Sequence, residues 1–413
     1  MMKSQFCAIG TLLVILSSGL LAAVAPATDP AQQAKAILDA GGVQGGLIVH
    51  VGCGDGKFTA ALHVNDRYMV HGLDTNADNI QKARQHIKSL GLYGTVSVEQ
   101  FSGKALPYND NLVNLLVIES PLDIPKDEIL RVLAPNGVAC IKKQGGWTRT
   151  VKPRPDNIDE WTHYMHDPTN NAVAHDTAIG PLRHLQWEAA PRYSRHHEFT
   201  TSVSAVVSAN GRIFTIMDMG SRASIHMPPE WTLTARDAFN GITLWQRPIE
   251  SWFNHLWPLK DGPAQPPRRL VAVGDSVYVT LGLEAPVSRL DAATGEILKT
   301  YAGTEFTEEI LVSQGMLFVL KNSESMNPAD YYPKLMVCWD EKNRTMKESE
   351  GWLLKPEKRA VIAIDAASGR TLWETDYPVE PLTLTVDEEC VYCLLYTSPS
   401  PRDLSTSRMP SSA

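Results

Sequence analysis

The sequence has few cysteines, no excess of basic residues and hardly any long apolar run, and each shortage excludes a class of protein. Its 413 residues include 6 cysteines, which are too few and too scattered for a disulfide framework. The formal net charge of −8 argues against a general nucleic-acid-binding role, because such proteins need a basic surface. The one apolar run that approaches the length of a membrane span lies at the N-terminus.

That run has the layout of a secretory signal peptide over residues 1–27. Lys3 gives a positive start, residues 11–24 are apolar, and Ala25-Pro26-Ala27 forms a small-x-small cleavage site. An uncleaved membrane anchor is the alternative, but the run is shorter than the roughly 20 residues that a transmembrane helix requires. The sequence therefore predicts a periplasmic or secreted bacterial protein with no transmembrane segment after cleavage.

Residues 31–148 alternate predicted strands with predicted helices. Strands are expected at 46–51, 68–74, 95–101, 112–118 and 137–142, and helices at 57–63, 76–90 and 127–133. Strand–helix alternation is typical of a parallel sheet with helices on both faces, so we predict a doubly wound, Rossmann-like α/β domain.

A glycine-rich turn follows the first predicted strand, and an acid ends the second. Glycines let the backbone approach a ligand closely because no Cβ intervenes, and a carboxylate at the end of the second strand can bind the hydroxyls of a ribose. Cys53 is by type a nucleophile, although a small residue that fills the turn is the simpler interpretation. The predicted cofactor-binding residues are Gly52, Cys53, Gly54, Asp55, Gly56 and Asp74.

In their order, these motifs resemble class I S-adenosylmethionine-dependent methyltransferases. The matching stretches are Val51 to Gly56, Asp74, Leu106-Pro107 and Arg131 to Gly137. The resemblance implies S-adenosylmethionine as the cofactor. The chain departs from the family pattern at His50, at Phe101-Ser102-Gly103 and near Asn114, where family members usually carry acids. Two alternatives follow: an active methyltransferase, or a retained fold with a degenerate cofactor site.

Three copies of the phrase Asp-Ala-x-x-Gly-x-x-Leu occur later in the chain. Their Asp, Gly and terminal Trp residues are Asp237, Gly241 and Trp245, then Asp291 and Gly295, then Asp365, Gly369 and Trp373. Each copy follows a strand of β-branched and aromatic residues, and Asp and Gly are residues that close hairpin turns. Such a unit must stack on copies of itself, so the Leu and Trp are expected to lie between neighbouring sheets.

The phrase resembles the repeat of pyrroloquinoline-quinone-type β-propellers over about residues 182–395. That family includes quinoprotein alcohol dehydrogenases and non-enzymatic outer-membrane assembly scaffolds. The resemblance implies an all-β propeller at 201–396, of which about three to four blades are present, with 321–359 as an insertion. Enzymes of this type add a calcium site, a catalytic Asp and often vicinal cysteines. Pyrroloquinoline quinone with calcium is therefore an implied cofactor for that branch alone, and Cys390 and Cys393 are not adjacent.

Residues 149–200 form a connector in which histidine is unusually frequent. His163 and His166 would share one face if the segment were helical, and with Asp167 they form a candidate metal site, because imidazole and carboxylate suit Zn, Fe or Cu. The alternative is a strap that packs across the first blade.

These features together predict an exported protein whose propeller acts as a binding or scaffold module for a protein or small-molecule ligand. The alternatives are a methyltransferase, or a quinone-dependent oxidoreductase whose catalytic blades are missing from this sequence. Residues 397–413 are rich in Ser and Pro, and we interpret them as a non-native or disordered tail. Because the repeat series is incomplete, we expect the native protein to be longer.

Overall fold

The computed structural model describes residues 29–119, 123–144, 146–178, 180, 185–192, 202–224, 227–250, 252, 265–323, 337–340, 345–348, 359–375 and 378–395. The predicted signal peptide at 1–27 and the predicted tail at 397–413 lie outside these residues. Two compact units divide the chain: Met1–Val43, Ile48–His63 and Val70–Pro153 form the first, and Gln44–Leu47, Val64–Met69 and Arg154–Ala413 form the second.

The N-terminal part alternates helices and strands as the sequence predicts, and it begins with a helix, α1 (Pro30–Gly41), that was not predicted. The other helices are α2 (Lys57–Ala61), α3 (Ala77–Ser89) and α4 (Lys126–Val132). The strands are β1 (Gly46–Val51), β2 (Tyr68–Asp74), β3 (Val96–Gln100), β4 (Val113–Ile118), β5 (Leu133–Lys143) and β6 (Gly146–Val151). Asn76 caps α3 by accepting a hydrogen bond from Asp78 N–H, and the helix buries Ile80, Ala83 and Ile87.

These six strands form one sheet in the order β3-β2-β1-β4-β5-β6. The pairs β2–β3, β1–β4 and β4–β5 are parallel, which confirms the Rossmann-like prediction. Strand β6 pairs antiparallel with β5 and was not predicted. The strand order reverses between β1 and β4, and in such sheets ligands bind outside the carboxyl ends of the strands at that reversal.

The described part of the chain from Arg154 onwards is built from antiparallel sheets. Its strands are β7 (Val203–Ala209), β8 (Arg212–Asp218), β9 (Trp231–Asp237), β10 (Thr243–Pro248), β11 (Leu270–Val273), β12 (Ser276–Thr280), β13 (Val287–Asp291), β14 (Ile297–Thr300), β15 (Thr307–Ser313), β16 (Met316–Lys321), β17 (Val337–Asp340), β18 (Thr345–Glu348), β19 (Ala360–Asp365), β20 (Thr371–Glu374), β21 (Thr385–Val386) and β22 (Val391–Tyr392). A 3₁₀ helix spans Pro266–Arg269. The four-stranded sheets are β7 to β10, β11 to β14, and β15-β16-β19-β20.

Strand β16 pairs directly with β19, with Leu317 opposite Ile364. The chain between them therefore is an insertion between two neighbouring strands, as predicted, and it contains the hairpin β17–β18. Among the described residues, no helix combines the length and the apolar character needed to cross a membrane.

The three copies of the repeated phrase form three turns with the same hydrogen bonds. In each, the glycine N–H donates to the carbonyl of the aspartate, over 3.0, 2.8 and 2.7 Å at Gly241, Gly295 and Gly369. The aspartate carboxylate accepts the N–H three residues ahead, as Asp291 does from Thr294 over 2.8 Å. Each glycine has φ of 73° or 79°, a conformation that costs glycine little. The predicted hairpin role of Asp and Gly is thereby confirmed.

The residue eight positions after the aspartate reaches the next turn in the first two copies. Trp245 lies against Gly295, where an added Cβ would meet the indole Cδ2 at 2.6 Å, and its Nε1 donates to Ala292 O over 3.0 Å. Lys299 takes the equivalent place over Gly369, with its Cε 2.4 Å from the position of an added Cβ. Trp187 covers Gly241 and donates to Ala238 O over 2.9 Å.

The expectation that every Leu and Trp of the phrase lies between sheets was wrong in part. Leu244 and Trp245 are buried, but Leu298 is 50% exposed and Trp373 is 41% exposed; Leu372 is also exposed. In the second copy, Lys299 and Tyr301 make the contact instead, and the Tyr301 hydroxyl donates to Ala366 O over 2.6 Å. For Trp373, the sequence holds no fourth copy of the phrase to cover it.

Candidate functional site

The glycine-rich turn leaves the carboxyl end of β1, next to the strand-order reversal. Gly52 N–H and Cys53 N–H both donate to Leu73 O, over 2.8 and 3.1 Å, so the turn is tied to the end of β2. Gly56 N–H donates to Cys53 O over 2.9 Å and leads into α2. The sequence folds this way because Gly52, Gly54 and Gly56 all adopt positive φ, at 86°, 53° and 82°, which other residues rarely do.

Two of these glycines have different surroundings. A Cβ on Gly56 would lie 2.8 Å from both Cα and Cβ of Ala83 in α3, whereas a Cβ on Gly54 would meet no described atom within 4 Å. Gly56 is therefore required for close packing of the turn against α3. Gly54 presents bare backbone at the edge of the sheet, where a ligand can approach it.

Asp74 joins the turn to α3. Its carboxylate accepts hydrogen bonds from Gly54 N–H over 3.0 Å, from Asn76 N–H over 2.9 Å and from Asn79 Nδ2 over 3.2 Å. The residue is 7% exposed. The acid predicted for ribose recognition thus lies directly beside the glycine turn, at the carboxyl end of β2, with its oxygens oriented by three donors.

The contacts of Cys53 and Asp55 indicate structural roles for both residues. Burial, and then the charge of Asp74, raise the pKa of the Cys53 thiol to about 12, so the thiol stays protonated and is a poor nucleophile. Its Cβ packs where a side chain on Gly72 would be, 2.9 Å from an added Cβ. Asp55 is exposed and pairs with Lys57 Nζ over 2.8 Å.

A carboxylate that the sequence analysis missed lies beside the turn. Glu119 follows β4, and its N–H donates to Val51 O over 3.0 Å. Its side chain accepts from Gln33 Nε2 over 2.9 Å and from Lys142 Nζ over 3.0 Å, and His50 Nε2 lies 3.5 Å away. Burial would raise the pKa of Glu119, but these neighbours lower it to about 2. The sequence signal that could have identified Glu119 is an acid directly after the apolar strand 113–118.

His50 occupies the position where the methyltransferase pattern has an acid. It is buried, and its Nδ1 is 2.8 Å from Thr59 Oγ1. With Nε2 facing Glu119, the imidazole links α2 to the carboxylate at the end of β4. Glu119 thus brings a carboxylate to the same end of the sheet as His50.

The other two departures from the family pattern lie directly after β3 and within β4. Phe101, directly after β3, is 9% exposed, and its N–H donates to Asp74 O over 3.1 Å. Asn114 lies within β4. An aromatic ring, rather than a carboxylate, therefore follows β3 next to Asp74.

In the connector, two of the three predicted metal ligands, His166 and Asp167, lie together, and His163 has other partners. Residues 163–166 form a tight turn closed by backbone hydrogen bonds between His163 and His166, each of 3.1 Å, and not a helix. His163 is buried; its Nε2 accepts from Val312 N–H over 3.0 Å, and its Nδ1 lies 2.7 Å from Thr162 Oγ1. Burial lowers the pKa of His163 to about 3. Its two ring nitrogens are thereby engaged, while His166 and Asp167 lie together with His175.

Pyrroloquinoline quinone and calcium remain predictions. Cys390 and Cys393 are both free thiols.

Comparison with known proteins gives two family matches. A model described as a methyltransferase domain matches residues 44–200, and one described as outer membrane protein assembly factor BamB matches residues 148–301. Methyltransferase GfsG of Streptomyces halstedii is 32% identical over 103 residues, or 24% of this chain, and the chain spans 37% of that relative's length.

Solved structures with similar folds have low overall scores. Geranyl diphosphate C-methyltransferase of Streptomyces coelicolor A3(2) is 19% identical, with 27% of this chain and 44% of that chain covered, at a TM-score of 0.25. The YcgJ protein of Bacillus subtilis is 15% identical, with 27% and 49% covered, at a TM-score of 0.24.

Proposed function

Since the chain carries a methyltransferase domain and a repeat domain of the outer-membrane assembly factor BamB type, we propose that it is an S-adenosylmethionine-dependent methyltransferase whose repeat domain binds a partner or the methyl acceptor. The observation that carries the proposal is the contact between Gly54 N–H and the Asp74 carboxylate. It places a bare glycine backbone and an oriented acid together at the strand-order reversal, where ligands bind in sheets of this kind.

The residues at this edge fit the cofactor in type. Asp74 would hold the ribose hydroxyls, and the backbone of residues 52–56 would lie against the amino-acid end of the cofactor, where the absence of a Cβ on Gly54 leaves room. When bound, S-adenosylmethionine supplies an electrophilic methyl group. Glu119, which accepts hydrogen bonds from Lys142 and Gln33, lies beside the end of β1.

Isothermal titration calorimetry with S-adenosylmethionine tests the proposal. We expect binding by the wild-type protein and at least a tenfold loss of affinity in Asp74→Ala, because the ribose hydroxyls lose their charged acceptor. Asp78→Ala is the matched control: it removes an exposed acid from the first turn of α3 and is expected to leave affinity unchanged. Equal affinity in wild type and Asp74→Ala would refute the assignment of the site.

A second candidate, a binding or scaffold protein with a degenerate cofactor site, is favoured by one observation. Phe101 replaces the acid that follows the third strand in the family, and its ring is buried. In this case, the wild-type protein would show no calorimetric response to S-adenosylmethionine while keeping its fold by circular dichroism. The repeat domain would then carry the function alone.

For the second domain, we propose that the three four-stranded sheets are successive blades of a β-propeller. The support is that the outer strand of one sheet reaches the turn of the next, through Trp245 on Gly295 and Lys299 on Gly369. A periplasmic or secreted location is part of the proposal and rests on residues 1–27. N-terminal sequencing of the protein from expressing cells tests it, and a mature chain that still begins at Met1 would contradict it.

A further inference from the structure

The turn that contains His166 holds a buried ring nitrogen without a hydrogen bond. His166 is 2% exposed. Its Nε2 lies 2.7 Å from Asp159 Oδ2, and a carboxylate there acts as the acceptor, so the hydrogen-bond network assigns the proton to Nε2. Nδ1 then carries a lone pair, and it has no hydrogen-bond partner among the described residues.

That lone pair faces a second acceptor. Asp167 Oδ2 lies 3.3 Å from His166 Nδ1. The other carboxylate oxygen, Oδ1, accepts from the backbone N–H of Thr169 over 2.9 Å and from the Thr169 hydroxyl, which fixes the carboxylate. An imidazole lone pair and a carboxylate oxygen at this distance repel each other unless a positive charge lies between them. Either a metal ion or a proton on Nδ1 satisfies that requirement.

His175 brings a third donor to the same place. Its ring centroid lies 5.5 Å from that of His166 at an interplanar angle of 71°, and one donor atom each from His166, Asp167 and His175 lie within 4.8 Å of one another. Its backbone N–H donates to Asp159 Oδ2 over 2.6 Å. Asp159 therefore orients His166 through its ring and His175 through its backbone.

The backbone conformation of His166 also indicates a functional site. Its φ is +77°, a left-handed value that is uncommon for residues other than glycine and that concentrates at functional sites. The turn is nevertheless fixed on both sides, by Thr162 N–H donating to His166 O over 2.8 Å and by the His163–His166 pair. The conformation turns the imidazole inwards, against the Trp161 ring at 5.2 Å.

We propose that His166 Nδ1, Asp167 Oδ2 and a ring nitrogen of His175 bind one divalent transition-metal ion, with Asp159 as the positioning carboxylate. Zinc ligands lie about 2.0–2.1 Å from the metal, so ligand atoms in a tetrahedral site are roughly 3.4 Å apart. The 3.3 Å between Nδ1 and Oδ2 matches that edge, and rotation of the exposed His175 ring closes the rest. A carboxylate that accepts from the distal N–H of a ligating histidine is the usual second interaction of such sites.

The ligand set selects the class of ion. Two imidazoles and one carboxylate suit zinc and the neighbouring divalent ions and leave a coordination position for water or a further ligand. The site differs from the one expected on sequence grounds, because His175 replaces His163. It is independent of S-adenosylmethionine binding, and its test does not use methyl transfer.

Zinc titration of the full chain, expressed without a histidine tag and treated with EDTA, tests the proposal. We expect one Zn²⁺ per chain by calorimetry and, with Co²⁺ in its place, a visible absorption band of a protein-bound ion. His175→Ala changes an exposed side chain and Asp167→Asn keeps its shape, so both should fold; each is expected to weaken zinc binding at least tenfold. His86→Ala, in α3, is the control and should bind zinc as wild type does.

Asp159→Asn measures the positioning role, and we expect a 10- to 100-fold loss of zinc affinity from it. Failure of the wild-type protein to bind one Zn²⁺ would overturn the proposal. Unchanged zinc affinity in His175→Ala would overturn it equally, since a metal bound without His175 occupies another site.

Discussion

Aspartate and glycine meet in both parts of the molecule, but a side chain covers the glycine in the repeat turns and none covers Gly54. At the end of β1, the Asp74 carboxylate accepts the N–H of Gly54 and of Asn76. In the repeat turns, Asp237 and Asp291 likewise accept N–H groups two and three residues ahead. The bare face of Gly295 is covered by the Trp245 indole, whereas Gly54 has no described atom within 4 Å of its Cβ position.

The difference shows that one local device serves two purposes. A glycine with positive φ gives up its side chain, and the space can be filled from elsewhere in the fold or kept for a ligand. In the repeats, it is filled, and the indole also donates to Ala292 O, so glycine there stabilises the contact between sheets. At the glycine-rich turn of residues 52–56, the same feature leaves the backbone of Gly54 uncovered, as the proposed binding of S-adenosylmethionine requires.

The largest expected effect comes from removing the covering ring. Trp245→Ala should lower the free energy of unfolding by about 3–5 kcal/mol, because it leaves a large cavity and an unpaired carbonyl at Ala292. Urea unfolding followed by circular dichroism measures it. Trp373→Ala is the matched control, and because Trp373 is 41% exposed, about 1 kcal/mol or less is expected. Equal losses of unfolding free energy in the two variants would contradict the interpretation that Trp245 stabilises the contact between neighbouring sheets.

Two of the three glycines in the glycine-rich turn, Gly54 and Gly56, sharpen the comparison. Gly56→Ala should cost about 1–2 kcal/mol for its left-handed backbone and about 1–3 kcal/mol more for overpacking, since its Cβ would meet Ala83. Gly54→Ala should lower the free energy of unfolding by only about 1–2 kcal/mol, for its left-handed backbone. It should nevertheless weaken S-adenosylmethionine binding, because the new methyl group projects into the space proposed for the ligand. Urea unfolding and calorimetry on both variants separate stability from binding. A Gly54→Ala protein that binds as tightly as wild type would contradict the proposed approach of the ligand.

The smallest expected effect is on acid stability. The folded-state pKa of Glu119 is about 2, below its ordinary value of 4.5, so the ionised form stabilises the native state above pH 4.5, and this contribution is lost as the pH falls towards 2. In Glu119→Gln, that contribution is absent at every pH. The difference in unfolding free energy between wild type and Glu119→Gln should therefore shrink as the pH falls from 4.5 to 2. A difference that stays constant over this range would contradict the lowered pKa.

Much of the fold could be predicted because its signals are local. The strands at 46–51 and 68–74 were predicted with the bounds that they have, since each is an apolar run ended by a turn residue or an acid. Strand β6 was not predicted, because Gly146–Val151 has a half-exposed pattern and gains its structure by pairing with β5. The exposure of Leu298 also could not be predicted. It depends on which side chain of the second copy contacts the turn of the next sheet, and that side chain is Lys299.

The candidate sites were predictable to the extent that a known order of motifs links their residues. The turn 52–56 and Asp74 are linked by motif order, and the structure places them in contact. Glu119 reaches the turn through the pairing of β1 with β4, and His175 reaches His166 because Asp159 accepts from both. Neither contact has a sequence signature, since each depends on a partner far along the chain or on a shared acceptor.

The position of Trp187 has a practical consequence for dissecting the molecule. Its indole covers Gly241 and donates to Ala238 O. Trp245 makes the same two contacts with the following turn. The turn of the first sheet is therefore covered only when residues that precede β7 are present. An expression fragment that starts at residue 201, as the repeat boundaries in the sequence suggest, would uncover that turn. A fragment that begins before residue 185 would keep it, and the two should differ in yield and in resistance to proteolysis.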